Sequence, residues 1–172
     1  MERASAESAE IDASKLDRTE LIGMVCAALL VLSVFIEWYS LTTDPNVVQR
    51  GSDPTAWACG VGNTSCTAWQ TFPILRWLLL AAAAAPFILS WIVIRGHALS
   101  WPRGEMTAVV GLCAFFLILY NGIIDKPQDG IEIGLAIGYW LGLLASFGIF
   151  ITGGFRAVKS GGGAQRKPPA TF

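Results

Sequence analysis

The stretch IEIGLAIGYWLGLLASFGIFITGGF, residues 131–155, has no charged side chain after Glu132. A helix of this length is long enough to cross the hydrocarbon core of a bilayer, which is about 30 Å thick. One face of that helix would carry small residues at nearly every turn: Gly134, Gly138, Gly142 and Ala145. Small residues in register allow a neighbouring helix backbone to come close, and such packing drives helix association in lipid. The stretch therefore predicts a transmembrane helix with a close-packing face.

The composition of the whole chain agrees with a membrane protein. Of its 172 residues, 53% are hydrophobic and 15% are charged, and the mean hydropathy is +0.53. Soluble domains carry about 25% charged residues. The net charge of −1 provides no basic surface for nucleic acid, so we expect no nucleic-acid partner.

Three more apolar segments precede residues 131–155. The four segments predict spans at about 21–41, 72–94, 106–124 and 131–155. The predicted fold class is therefore all-α, a transmembrane four-helix bundle that occupies residues 21–156. Residues 1–20 are polar and predict a disordered tail, and residues 157–172 predict a flexible tail. Residues 42–71 are rich in turn formers and predict one long loop.

The distribution of Lys and Arg predicts the orientation of the chain. The two tails and the turn between spans two and three contain nine of these residues, whereas the other side contains Arg50, Arg76 and Lys126. Basic residues concentrate on the cytoplasmic side of membrane proteins. We therefore expect both termini in the cytoplasm, the long loop outside, and a multi-pass protein of the plasma membrane.

Cys59 and Cys66 both fall in the long outer loop, where disulfides persist. A bridge between them would close a ring of about eight residues and stabilise the fold by about 2.5 kcal/mol in the chain-entropy model. The alternative is a redox-active pair, as in four-span enzymes that pass electrons from cysteines to a quinone. The active pair of those enzymes is separated by two residues, whereas six residues separate Cys59 from Cys66. A structural disulfide is the main interpretation, and neither a metal nor a cofactor is expected.

A second group of residues is predicted at the outer boundary of the membrane. Glu37 ends the first span and Arg76 begins the second, so an ion pair between them would offset part of the cost of keeping each near lipid. Candidates to line a polar cavity open to the outer leaflet are Glu37, Arg76, Tyr120, Asn121, Tyr139 and Trp140. The alternative is that these residues are ordinary interfacial anchors and interhelical contacts.

Three short segments resemble a group of uncharacterised four-span membrane proteins of high-GC Gram-positive bacteria. They are VLSVFIEWYS at 31–40, AWQTF at 68–72 and GYWLGLL at 138–144. In that group the first span ends in an apolar-Pro-Trp-Tyr/Phe turn, and Glu37 stands here where the proline is usual. The resemblance implies the four-span topology and a plasma-membrane address, and it implies no activity.

The leading functional hypothesis is a non-enzymatic integral membrane protein, an accessory or assembly subunit that presents a structured outer loop. Its expected partners are the lipid bilayer and either another membrane protein or a second copy of itself. The first alternative is a small transporter or channel that uses Glu37 and Arg76. The second is a membrane thiol-redox enzyme that uses Cys59 and Cys66.

Overall fold

The computed structural model describes residues 17–41, 63–95, 104–125 and 133–161. Most of these residues are helical. In chain order the elements are α1 (Arg18–Phe35), β1 (Glu37–Leu41), β2 (Ser65–Thr67), α2 (Ala68–Thr71), α3 (Leu75–Ile94), α4 (Glu105–Ile123), β3 (Ile133–Leu135) and α5 (Ile137–Gly161). The prediction of four helices long and apolar enough to span a membrane is confirmed by α1, α3, α4 and α5.

The four long helices form a closed ring in which each helix has two main neighbours. Helix α1 packs against α3 and α5, and α4 packs against the same two helices. Fully buried side chains fill the centre: Leu30, Val34, Leu79, Ile118 and Ile149. Large apolar side chains also cover the outside, among them Leu32, Phe87, Phe116 and Leu144. An apolar surface of this extent is suited to lipid and unsuited to water.

A three-stranded antiparallel sheet covers one end of the bundle, and the all-α prediction missed it. Strand β1 lies between β2 and β3, and Tyr39 pairs with Cys66 on one side and with Leu135 on the other. Successive side chains of a regular strand point to opposite faces. Here the register shifts between Glu37 and Tyr39, and Trp38 and Tyr39 are both fully buried. We call this part of the molecule the sheet end.

The first span is shorter than predicted, because the chain leaves the helix after Phe35 instead of continuing to residue 41. The Trp38 indole Nε1–H donates to the carbonyl oxygen of Ser33 at 2.7 Å. That carbonyl is one of the last four of α1, which have no partner inside the helix. The same carbonyl also accepts the backbone N–H of Ile36 at 3.3 Å, and the extended backbone of Ile36 ends the helix.

The last span also begins later than predicted, so the four small residues do not share one helix. Gly134 lies in β3 and pairs with Ser40, whereas α5 starts at Ile137. A Cβ atom at Gly138 would lie 2.6 Å from the Glu37 carbonyl oxygen. One at Gly142 would lie 2.9 Å from the Ser33 hydroxyl oxygen. With the buried Ala145, these glycines bring α5 against the end of α1.

The opposite end of the bundle contains the start of α1 and the end of α5, and both helices extend beyond the predicted spans. Helix α1 starts at Arg18 behind the N-cap Asp17, and α5 continues to Gly161. Parts of both predicted tails are therefore helical. The rest of those tails, 1–16 and 162–172, lies outside the described residues.

The glycine contacts generate a prediction about packing. Gly138→Ala should destabilise the protein by about 1–3 kcal/mol, because the added methyl group must displace the backbone oxygen of Glu37. The matched control is Gly154→Ala on the same helix, where nothing lies within 4 Å of the added carbon. There the change should be neutral or stabilising by up to about 1 kcal/mol through helix propensity. Thermal unfolding of the two variants in detergent measures both effects, and equal melting temperatures would contradict the packing described here.

Candidate functional site

Aromatic side chains fill the sheet end of the bundle. Trp38 and Tyr39 are fully buried and Tyr139 is 1% exposed. The Trp38 ring meets the edge of the Tyr139 ring at a centroid distance of 5.9 Å and lies 6.2 Å from the Phe72 ring. Contacts of this geometry add to the stability gained from burial alone. The centre of the sheet end is therefore packed with rings.

The two tyrosines also connect the sheet and α5 to the end of α4. The Tyr39 hydroxyl donates to the carbonyl oxygen of Asn121 at 2.9 Å. Burial raises the pKa of Tyr39, and the nearby Tyr139 and Asp125 raise it further, so Tyr39 remains a neutral donor at physiological pH. The Tyr139 ring lies directly against Gly122, where no side chain would fit. The Tyr139 hydroxyl is buried and has no hydrogen-bond partner among the described residues.

Glu37 and Arg76 do not form the ion pair considered from the sequence. The exposed Glu37 accepts a hydrogen bond at Oε1 from the Ser65 hydroxyl at 2.7 Å. Arg76 donates from Nη1 to the Trp69 carbonyl oxygen at 3.0 Å, and its guanidinium carbon lies 4.6 Å from the centre of the Trp69 ring. Each charged side chain therefore interacts with a nearby residue at the sheet end, Glu37 with Ser65 and Arg76 with Trp69. Arg76 Nε is buried without a hydrogen-bond partner.

Two of the other predicted cavity residues face outward. Tyr120 and Trp140 are about half exposed on the outer surface of the bundle. Asn121 donates from Nδ2 to the Leu117 carbonyl of its own helix at 2.8 Å. Of the six candidates only Tyr139 is fully buried, and the polar cavity stays a prediction. An apolar groove of about 780 Å³ runs along α4. It is lined by Cys113, Phe116, Leu117, Leu119, Tyr120, Ile123 and Ile124.

The opposite end of the bundle holds a buried ion pair that the sequence reasoning missed. Arg156 donates from Nη2 to Oε1 of Glu20, and both residues are less than 9% exposed. The other Glu20 oxygen accepts the backbone N–H of Asp17 at 3.2 Å. An exposed pair lies beside it, in which Lys159 donates to Asp17 at 2.8 Å. That hydrogen bond is the main cause of a lowered pKa for Asp17.

This ion-pair end, as we name it, also holds the start of α4. Gly104 has a left-handed φ of 111° and lies so close to the α5 backbone at Gly153 that a side chain would overlap it. A Cβ atom there would also lie 2.7 Å from the Cβ of Arg156. Arg156 is therefore the point at which the ends of α1, α4 and α5 meet. One sequence signal was available, because Asp17 and Glu20 have the spacing of a capping box, which marks a helix start inside the predicted tail.

The described residues contain no constellation typical of a catalytic or metal centre. No group of three or more His, Cys, Asp and Glu side chains is found among them. The buried hydroxyls of Ser33, Ser146 and Thr152 donate to carbonyl oxygens of their own helices. Cys26 and Cys113 are free cysteines, and Cys66 is buried in β2. Cys59 lies outside the described residues, so the predicted bridge is unconfirmed.

Comparisons with protein families, with curated proteins and with solved structures found no match to this chain. The likeness to four-span proteins of Gram-positive bacteria therefore stands on its three short segments alone. The functional proposal is therefore based on the geometry of the two bundle ends.

The two charged arrangements predict opposite results in double-mutant cycles. Glu20→Gln should cost about 3–5 kcal/mol, because it leaves Arg156 buried without its carboxylate. The double change with Arg156→Gln should cost clearly less than the sum of the single changes. The control cycle is Glu37→Gln with Arg76→Gln, which should be additive within about 0.5 kcal/mol. Unfolding free energies in detergent decide between these outcomes. If the effects of the Glu20 and Arg156 changes are additive, the pair is exposed to water or does not form.

Proposed function

We propose that this protein is a non-enzymatic subunit of the plasma membrane that presents the sheet end to another membrane protein or to a second copy of itself. The main observation behind the proposal is the way in which the sheet is anchored to the helix bundle. Its central strand β1 inserts Trp38 and Tyr39 into the end of the bundle, where both are fully buried. A surface fixed in this way costs little entropy when it binds a partner.

The same sheet holds the two ends of the predicted outer loop together. Ser40 in β1 pairs with Ser65 in β2, and residues 42–64 connect these strands in the sequence. On the other side Ser40 pairs with Gly134 of β3, which comes just before α5. A partner that binds the sheet end would therefore contact three parts of the chain that are far apart in sequence.

A transporter or channel is the weaker alternative. Such a protein needs polar or titratable groups along a path through the bundle, as intramembrane charges mark ion and substrate routes. The described part of the bundle has its buried ion pair, Glu20 with Arg156, at one end and a cluster of rings at the other. Between them, the buried hydroxyls of Ser33 and Ser146 bond to their own helix backbones, and the buried Ser90 hydroxyl has no hydrogen-bond partner among the described residues. This distribution of polar groups favours a structural role for the interior of the bundle over a transport path.

Two observations support the proposed orientation, with both termini in the cytoplasm. The pair of Asp17 with Lys159 brings the start of α1 and the end of α5 to the same side of the membrane. Most Lys and Arg residues of the chain belong to that side by sequence position. The resemblance to bacterial four-span proteins adds the plasma-membrane address. The sheet end would then face outward.

We further propose the bridge between Cys59 and Cys66 as part of this outward surface. Cys66 is 1% exposed and is not one of the free cysteines, which are Cys26 and Cys113. Mass spectrometry of the denatured, alkylated and non-reduced protein should therefore find two alkyl groups, on Cys26 and Cys113. Four alkyl groups without reductant would contradict the bridge.

The proposed function predicts that a partner is reached from the sheet end alone. A photoreactive amino acid at Glu37, which is exposed in β1, should form a specific adduct in the membranes of the source cells. The matched control at Glu105, which is exposed at the start of α4 on the other end, should form none. The adduct mass distinguishes a second copy from a different protein.

Two further measurements separate the alternatives. Proton-driven uptake into reconstituted vesicles that is lost in Glu37→Gln would establish a transporter and contradict the proposal. A bound quinone in the purified protein, reduced through Cys59 and Cys66, would establish the redox enzyme. The subunit that we propose should show neither signal.

A further inference from the structure

Helix α3 has an arginine and a tryptophan paired at each of its ends. At the sheet end the Arg76 guanidinium lies over the Trp69 ring and 5.8 Å from the centre of the Trp77 ring. At the other end the Arg95 guanidinium lies 4.6 Å from the centre of the Trp91 ring. Arg76 and Arg95 are 19 residues apart, which is about 28 Å along a helix. This length matches the roughly 30 Å of a hydrocarbon core, so a bilayer spanned by α3 would place each arginine near a headgroup boundary.

Trp77 and its neighbours place Arg76 next to lipid. Trp77 is 58% exposed and Ile74 is 74% exposed. Tryptophan prefers the membrane boundary, where its ring is among acyl chains and its N–H reaches the headgroups. The half-buried Arg76 lies between these exposed apolar side chains in sequence and is held by the Trp69 and Trp77 rings. A lipid headgroup at this boundary is therefore within reach of its guanidinium.

The charge of Arg76 has no counter-ion in the described structure. Its one hydrogen bond is to a neutral carbonyl oxygen, that of Trp69, and its Nε–H is buried without an acceptor. Arg76 is also the second residue of α3, where the helix dipole is positive and favours an anion. Stacking on a ring covers the face of a guanidinium and leaves N–H groups along its edge available for an oxyanion.

We propose that Arg76, held between Trp69 and Trp77 at the start of α3, binds the phosphate of an anionic phospholipid. Because the Nε–H is buried, the phosphate would be bound by the two Nη groups, whose N–H bonds lie in one plane and match phosphate oxygens in a bidentate geometry. The exposed Trp77 ring packs along the upper part of the acyl chains. This site is independent of the proposed partner surface, because it lies on the lipid-facing side of α3 and a bound lipid requires no other protein.

The test is selective lipid binding by the full-length protein in a neutral detergent, followed by native mass spectrometry. The probes are phosphatidylglycerol and phosphatidylcholine with identical acyl chains. The wild-type protein should retain phosphatidylglycerol about five-fold more than phosphatidylcholine, since a basic residue near an anionic surface contributes about 1 kcal/mol. Arg76→Gln should reduce this ratio to about one. The control Arg18→Gln, which removes the same charge from the exposed start of α1, should leave the ratio unchanged.

Two more arms keep the proposal falsifiable if Arg76→Gln does not fold. Arg76→Lys keeps the charge and loses the planar fork, so it should retain a ratio between those of the wild type and the glutamine variant. Soluble glycerol phosphate at the same concentration should not raise the melting temperature, whereas phosphatidylglycerol should. A wild-type ratio of one, an unchanged ratio in Arg76→Lys, or equal stabilisation by glycerol phosphate would each overturn the proposal.

Discussion

The hydrogen bond from the Trp38 indole to the Ser33 carbonyl oxygen is the interaction on which the sheet end depends. It joins the indole to the last turn of α1, where the same carbonyl also accepts the backbone N–H of the C-cap residue Ile36 at 3.3 Å. It also fixes the indole in the position where Gly138 and Gly142 meet it, since a Cβ at either glycine would lie within 3.4 Å of the Trp38 ring. The direction of β1, and with it the whole sheet, follows from this junction.

The two ends of the bundle are stabilised by different physics. Lipid removes the hydrophobic drive between helices, so close contact and polar interactions have to replace it. The sheet end uses packed rings and backbone pairing, whereas the ion-pair end uses Glu20 with Arg156. Between the ends, Gly111 permits a close contact of α4 with α5. A Cβ at Gly111 would lie 2.6 Å from the Phe150 nitrogen.

This division suits a protein that acts through its surface. The ion pair joins the first and the last helix, and Arg156 takes part in further interactions besides. The first and last helices are thereby held together at the ion-pair end, and this contact does not involve the sheet end. In the proposed function, a partner would bind the sheet end without also having to hold the helices together. Arg76 and Trp77, at the edge of the same end, would set its height relative to the headgroups.

The sequence by itself determined the number of spans and their approximate positions, because the cost of exposing backbone and charge to hydrocarbon leaves long apolar helices as the available solution. It also indicated that Gly138, Gly142 and Ala145 are small for a packing reason. Residue-level boundaries were less accurate, since the Trp and Tyr of EWYSL at 37–41 also suit the interfacial end of a span, and a short segment of this kind does not distinguish a last helical turn from a buried strand.

Only the tertiary structure decided which charges meet. Glu37 and Arg76 were expected near each other because both border the same membrane surface, yet each has a nearer partner in Ser65 and Trp69. Glu20 and Arg156 are 136 positions apart, and no local pattern links them. Their contact exists because α1 and α5 are antiparallel neighbours in the ring. A pairing across such a distance depends on helix arrangement, which packing sets and hydropathy does not encode.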